Sequence, residues 1–254
     1  MRNNKFLNFL KQFTKILFEQ ITLAILVGVA VEGAHIGAEY IMANNHEKQQ
    51  LELIDLGVSK EYLKDRWGIP IIMIEKEEKF LNEEYFLFEN NVVRVLYDEE
   101  KVVGYFITNT TGKNKYACEK LWENWILLKN TYSDITIRGD GIIEAGMAGP
   151  GKYRFYNEIY GQGSYLNYGS LYFSIYNYGY MEKKEDDLII AACNLLREKE
   201  VTLREAVDKE LIKEREEART NTIGIVEQGY QDKVINPDEN KHWLDIAQII
   251  ISKQ

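Results

Sequence analysis

The stretch ITLAILVGVAV, residues 21–31, decides how the chain is divided. It is almost wholly apolar, and the wider run 16–43 is long enough to cross a bilayer, because a helix of about 20 residues spans about 30 Å. A cleaved signal peptide or a buried helix of a soluble domain is the alternative, since basic residues precede the apolar core. The chain continues helix-like to Ile41 without a cleavage site and a turn. The sequence therefore predicts a transmembrane helix within residues 1–45.

Three ionisable residues, Glu32, His35 and Glu39, are spaced to lie on one face of that helix. Gly33 and Gly37 fall on the opposite face, where small residues let membrane helices approach closely. Because an isolated helix would expose the ionisable face to lipid, the pattern predicts a homo-oligomer that turns this face toward a pore. The alternative places these residues among lipid headgroups, where charge is tolerated. No second E-x-x-H copy accompanies them, so no metal site is predicted.

The first fifteen residues are basic and amphipathic, with Phe6, Phe9 and Phe13 at helical spacing. Such a segment lies flat on an anionic leaflet, so membrane lipids are predicted partners and a cell membrane is the predicted location. The basic residues favour a cytoplasmic N-terminus, which would place the remaining domain outside. A sensor of an intracellular signal would need the reverse orientation, and both remain open.

Composition excludes several classes of protein. The chain has 254 residues with 45% hydrophobic and 12% aromatic residues, which excludes a wholly disordered chain. Its net charge of −9 and the lack of a long basic run argue against binding to duplex nucleic acid. Cys118 and Cys193 form no zinc-like spacing and are expected to be buried thiols.

Residues 46–254 are predicted to form a soluble domain of mixed α and β structure, so the fold class is α+β with antiparallel sheet. Ser59 is expected to cap a helix over Lys60 to Trp67, and Gly68-Ile69-Pro70 to end it. Strand-like runs predict the strands Ile71 to Ile74, Tyr85 to Phe88, Val92 to Tyr97 and Val102 to Thr108, with a second β-rich stretch from Lys152 to Met181. Apolar spacing predicts helices over Tyr116 to Lys129, Asp187 to Lys199 and Leu203 to Ala218, and a last one after Asn236.

A glycine and proline stop precedes both β-rich stretches, which suggests a degenerate duplication of a helix-plus-meander repeat. Residues 58–108 resemble the repeat of small outer-membrane-assembly lipoproteins and of the protein β-lactamase inhibitors. A broader likeness rests on Gly68-Ile69-Pro70, Asp98-Glu99 with Val103-Gly104-Tyr105, residues 154–160 (RFYNEIY) and residues 219–222 (RTNT). With the apolar N-terminus, these segments resemble bacterial membrane effectors of nucleotide-signalled antiphage defence, the Hailong type among them. The resemblance implies an oligomer that conducts ions when a nucleotide or short oligonucleotide binds.

The densest cluster of aromatic residues is KYRFYNEIYGQGSYLNYGSLYFSIYNYGY, residues 152–180, with nine of the 17 tyrosines. Tyrosines offer stacking faces for bases, and nearby cations contact phosphate. The predicted ligand-binding residues are therefore Lys152, Arg154, Tyr156 and Tyr160. The alternative is a tyrosine-rich sheet that packs on helices.

Signatures of catalysis are missing from the sequence. Gly146 to Lys152 fits G-x-x-x-x-G-K, but Tyr153 stands where a phosphate loop needs Ser or Thr, and a strand follows. No G-x-S-x-G or H-E-x-x-H motif occurs. The chain is therefore predicted to be a non-enzyme without cofactors, either a ligand-gated membrane effector or a membrane-anchored extracytoplasmic binding or envelope-assembly module.

Overall fold

The chain divides into two compact units, residues 1–48 and 49–254. A computed structural model describes residues 46–254 except 76–79, 114–115, 117, 119–120, 122–124, 136–140, 149–152, 162–168, 199–204, 207–209, 235–247, 251 and 253–254.

One antiparallel sheet of eight strands dominates the second unit, in the order β1-β2-β3-β4-β8-β7-β6-β5. The chain forms one antiparallel meander from β1 to β4 and another from β5 to β7. β8 joins the two meanders by pairing with both β4 and β7. The strands are β1 Ile72–Ile74, β2 Asn82–Leu87, β3 Asn91–Asp98, β4 Lys101–Asn109, β5 Gly141–Ala148, β6 Tyr153–Tyr160, β7 Gly169–Tyr176 and β8 Thr222–Glu227.

The helices are short and few in the described part of the chain. They are α1 Lys60–Trp67, α2 Lys183–Glu198 and α3 Ile212–Glu217, with 3-10 turns at Tyr132–Asp134 and Gln231–Lys233. Residues 46–51 are also helical. The predicted start of α1 is confirmed, because the Ser59 hydroxyl accepts a hydrogen bond from the Tyr62 amide at 3.2 Å. Its end is confirmed at Gly68, which has a positive φ of 82°.

The prediction of a helix over Tyr116 to Lys129 is wrong. The Cys118 amide donates to the Trp125 carbonyl and the Leu127 amide to the Tyr116 carbonyl, so the chain doubles back on itself. The apolar residues are buried by this turn: the Trp125 indole packs against Phe173 and donates to the Thr220 hydroxyl at 3.0 Å. A tight turn and a helix can bury similarly spaced apolar residues, so spacing alone did not separate them.

The predicted fold class is also wrong. A single eight-stranded antiparallel sheet with few short helices replaces the expected mixed α/β domain behind a transmembrane helix. No helix in the described residues is long and apolar enough to span a membrane, and the predicted transmembrane segment lies outside them, in residues 1–45. The two halves of the sheet do not repeat each other, because α2 and α3 separate β7 from β8 whereas the described residues between β1 and β4 form no helix.

Side chains alternate between two buried faces of the sheet. The helix face packs against α1 and α2, and it includes Phe86, Val93, Tyr105, Tyr156 and Phe173. The C-terminal face packs against residues near the chain end, and it includes Tyr85, Leu96, Phe106, Tyr172 and Tyr176. Because the chain buries both faces of its sheet, even the polar positions on the strands become interior.

The buried tyrosines predict an abrupt alkaline transition. Burial is the main cause that raises the pKa of nine of them, to about 12 for Tyr178 and further for Tyr85, Tyr97, Tyr105, Tyr132, Tyr156, Tyr160, Tyr172 and Tyr176. A raised folded-state pKa stabilises the fold below the unfolded value of about 10, and this contribution falls as pH rises toward the folded value. Nine such groups together lower the free energy of unfolding by on the order of ten kcal/mol per pH unit, which is comparable to the stability of a whole domain.

We therefore expect cooperative unfolding between about pH 10.5 and 12, with the nine phenols ionising together. Absorbance at 295 nm and far-ultraviolet circular dichroism should change at the same pH. Gradual ionisation of all tyrosines near pH 10, with the circular dichroism unchanged, would contradict the burial of these hydroxyls.

Candidate functional site

The predicted ligand-binding tyrosines lie on the helix face and belong to a buried ion-pair network. The Tyr156 and Tyr160 hydroxyls each donate to one oxygen of the Glu158 carboxylate at 2.6 Å. Arg215 of α3 donates to both oxygens, from Nε at 2.7 Å and from Nη2 at 3.0 Å, and Nη2 also donates to the Tyr132 carbonyl. The hydroxyls that the sequence assigned to a ligand are thus engaged with Glu158 inside the domain.

The electrostatics of this network favour a charged Arg215 and neutral tyrosines. Burial alone would lower the pKa of Arg215, but the hydrogen bonds and charge of Glu158 raise it above its ordinary value. The pKa values of Tyr156 and Tyr160 are raised first by burial and then by Glu158. The tyrosines therefore remain neutral hydrogen-bond donors to the carboxylate at physiological pH.

Of the two predicted phosphate-binding cations, Arg154 lies among the described residues. Arg154 forms an ion pair with Asp186 of α2 on the helix face. Lys152 lies outside the described residues. Tyr172 and Tyr176 of the same tyrosine-rich stretch lie on the opposite face of the sheet. The stretch is therefore divided between two interiors, and its β6 and β7 tyrosines do not line one common surface.

A row of polar side chains crosses the C-terminal face, and sequence reasoning missed it. Neighbouring strands place its members directly opposite one another: Glu144, Asn157, Ser174, Thr222 and Thr108. The Asn157 amide nitrogen donates to Glu144 Oε2 at 3.1 Å, and the Thr222 hydroxyl donates to that of Thr108 at 2.8 Å. All members except Glu144 are fully buried. We call these five residues the polar row.

Two atoms of the polar row have no hydrogen-bond partner, Asn157 Oδ1 and Ser174 Oγ. Asn157 Oδ1 is buried and unpaired. Since Nδ2 of the same amide is fixed by Glu144, the oxygen is the group left to accept. An unsatisfied buried carbonyl costs about 1–3 kcal/mol, so its retention calls for an explanation.

Aromatic side chains flank the polar row. On β7, Tyr172 and Tyr176 stand two residues before and after Ser174 on the same face. The Phe106 ring packs edge-on against Tyr172, with ring centroids 5.1 Å apart. The Tyr178 ring stacks parallel to that of Tyr176 at 5.6 Å, and its hydroxyl accepts from Thr108 at 3.4 Å.

A second buried ion pair lies beyond Phe106 on the same face. Arg94 donates to both oxygens of Glu83, at 3.1 Å and 2.6 Å, and the Tyr85 hydroxyl donates to Glu83 at 2.8 Å. The Arg94 guanidinium lies 5.2 Å from the centre of the Phe106 ring. Because Glu83 neutralises Arg94, this ion pair offers no net positive charge to an anion.

Residues near the end of the chain contact the margin of this face. The Leu81 amide donates to the Lys233 carbonyl, and the Tyr230 hydroxyl donates to Asp98 at 2.7 Å. Gln231 Nε2 donates to the Ser170 hydroxyl at 3.1 Å. Ile250 is buried in the same apolar cluster.

Comparison with known proteins adds little to this geometry. No protein-family model and no curated protein matches the chain. A solved structure, an extracellular protein containing a SCP domain from Bacillus anthracis str. Ames, is similar with 11% identity and a TM-score of 0.39. The match covers 78% of this chain and 58% of that one. At this identity and score, no property of that protein is transferred to this chain.

The remaining predicted features fall in three places. Cys118 and Cys193 are buried, and burial raises the pKa of both thiols, which makes them poor nucleophiles at neutral pH. Gly146 lies within β5, and a Cβ there would approach Phe155 to 2.2 Å, so packing accounts for this glycine. No group of three metal-ligating residues occurs in the part of the chain that the structure describes.

The predicted pore residues Glu32, His35 and Glu39 and the packing residues Gly33 and Gly37 lie outside the described residues, and their roles stay predictions.

Proposed function

We propose that residues 49–254 form a non-catalytic sensor that binds a nucleobase-bearing ligand at the polar row. The observation that carries this proposal is Asn157 Oδ1, a buried acceptor whose amide is held in place by Glu144. An amide oxygen of this kind accepts a hydrogen bond from an exocyclic amino group of adenine or cytosine. Uracil has no exocyclic amino group to donate.

The surroundings of Asn157 suit a flat aromatic ligand. Tyr172, Tyr176 and Phe106 provide aromatic surface beside the polar row. Stacking of a base on such side chains contributes about 1–3 kcal/mol per base. Because the Arg94 charge is neutralised by Glu83, the base rather than a phosphate is the recognised part of the ligand.

A ligand reaches the buried polar row only if part of the chain moves. Residues 230–234 contact the sheet through a few hydrogen bonds at its margin, which are weaker restraints than the strand ladders. A ligand that binds only when this segment has moved shifts the population toward the uncovered form. Movement of the chain end is therefore the proposed output of the sensor, and the predicted ion-conducting pore remains a separate prediction.

Titration calorimetry of the full-length chain with adenosine, cytidine and uridine tests this proposal. We expect adenosine or cytidine to bind at least about tenfold more tightly than uridine, which corresponds to one hydrogen bond of about 1.4 kcal/mol. Asn157→Leu should abolish this preference.

The double variant Lys152→Ala with Arg154→Ala is the control. It removes the cations that the sequence assigned to phosphate contacts and should leave nucleoside affinity unchanged. Thermal unfolding of each variant checks that the domain is folded. No heat of binding with any nucleoside, or equal affinity of the folded Asn157→Leu variant, would refute the proposed function.

A further inference from the structure

The two edges of the sheet are built differently. The edge strand β1 has three residues, and the next five positions, 75–79, read EKEEK. The other edge strand, β5, has eight residues, GIIEAGMA, with one charged side chain. Proteins protect exposed sheet edges with short strands, charges, prolines or bulges. β1 has two of these protections, whereas β5 is long, free of proline and almost uncharged.

The single charge on β5 does not guard its edge. Glu144 projects onto the C-terminal face, where it accepts a hydrogen bond from Asn157 of the neighbouring strand. Ile142 on the same strand is 38% exposed, although most large apolar side chains of the sheet are buried. α2 packs against β5, and its Ile190 is also 38% exposed. Apolar surface thus accompanies the edge on both elements.

We propose that β5 pairs antiparallel with β5 of a second copy of this chain, which joins two sheets into one of sixteen strands. A two-fold axis perpendicular to the sheet keeps the helix faces of both copies on the same side. Directly opposite residues in an antiparallel pair lie on the same face, so each even-numbered residue faces an even-numbered one and each odd-numbered residue an odd-numbered one. The axis therefore lies where one residue, near the middle of the strand, faces its own copy.

Charge selects the register of this pairing. An axis at Glu144 would place two carboxylates directly opposite each other, which destabilises an antiparallel pair. An axis at Ala145 places Glu144 opposite Gly146 and Ile143 opposite Met147, without any pair of like charges. The strand is therefore complementary to itself in this register, which is why a second copy is the occupant proposed.

A cysteine crosslink at the axis tests this register directly. Opposite Cα atoms in an antiparallel pair are about 4.5–5.5 Å apart, within the range that a disulfide spans. We expect full-length Ala145→Cys protein to form a disulfide-linked dimer under mild oxidation, and the added charge of Ile142→Lys to reduce the linked fraction at least about fivefold. Cys118 and Cys193 are buried and do not compete.

Ile212→Cys is the matched control, because Ile212 is 46% exposed and belongs to α3 and not to the edge strand. It should stay unlinked under the same conditions. A monomeric mass of the wild-type chain by light scattering, or no more linkage at position 145 than at position 212, would overturn the proposal and assign the β5 edge to another occupant. This result is independent of nucleoside binding, which the Asn157 experiment measures separately.

Discussion

Replacement of Arg215 by Met is expected to destabilise the sheet domain by about 3–5 kcal/mol, because it leaves a buried carboxylate without its cationic partner. Glu158 is fully buried, and Arg215 is the cation that contacts both of its oxygens. After the substitution, the Tyr156 and Tyr160 hydroxyls would still donate to Glu158, but neutral donors replace only part of the stabilisation of a charge. Chemical denaturation of full-length protein by urea, followed by tryptophan fluorescence, measures the difference.

Arg154→Met is the matched control for this experiment. Arg154 also pairs with a carboxylate, but its side chain and that of Asp186 are 26% and 27% exposed. Ion pairs accessible to water contribute about 0–1 kcal/mol, so this variant should lie close to the wild type. Adding Glu158→Leu to Arg215→Met should recover part of the lost stability, since it removes the unpaired Glu158 carboxylate. Equal losses for the two arginine variants would contradict a structural role for the Glu158 network.

The sequence predicted the elements whose signals are local. The four strands of the first meander contain short apolar runs of β-branched or aromatic residues, and Ser59 with Gly68 bounds α1. β5 was missed because GIIEAGMA is rich in glycine and alanine, which have low strand propensity. β8 was missed because it follows a charged helical stretch and its partners lie far away in sequence.

The candidate site depends on partners that sequence spacing does not bring together. Glu158 and Arg215 are 57 positions apart, and Thr222 and Thr108 are 114 apart. Strand alternation alone predicts part of this arrangement. Tyr156, Glu158 and Tyr160 are two positions apart on β6 and so lie on one face, with Asn157 on the other. Which face of each strand meets β7 and β8 depends on the strand order, and only the folded sheet reveals the polar row.

A valine at Gly224 is expected to destabilise the domain by about 3–5 kcal/mol, the range for the loss of a buried phenylalanine contact. Gly224 of β8 lies directly opposite Phe106 of β4, and a Cβ at this position would stand 2.3 Å from Phe106 Cδ1. The ring covers the glycine backbone, a cross-strand arrangement that protects glycine in sheets. To make room, the ring must leave both Tyr172 and Arg94, which it contacts at 5.1 Å and 5.2 Å.

Gly104→Ala is a graded control on the adjacent strand β4. Its added Cβ would meet the Ile225 carbonyl, Leu96 and Val226 at 3.1 Å, so shifts of a few tenths of an ångström accommodate it. We expect this variant to lose clearly less stability than Gly224→Val in the same urea denaturation. Because the clash involves the Phe106 ring, Phe106→Ala should make Gly224→Val much less harmful in a double-mutant cycle. If the stability losses of the two substitutions are additive, the Phe106 ring does not fill the space above Gly224. The placement of Phe106 beside the polar row would then be wrong.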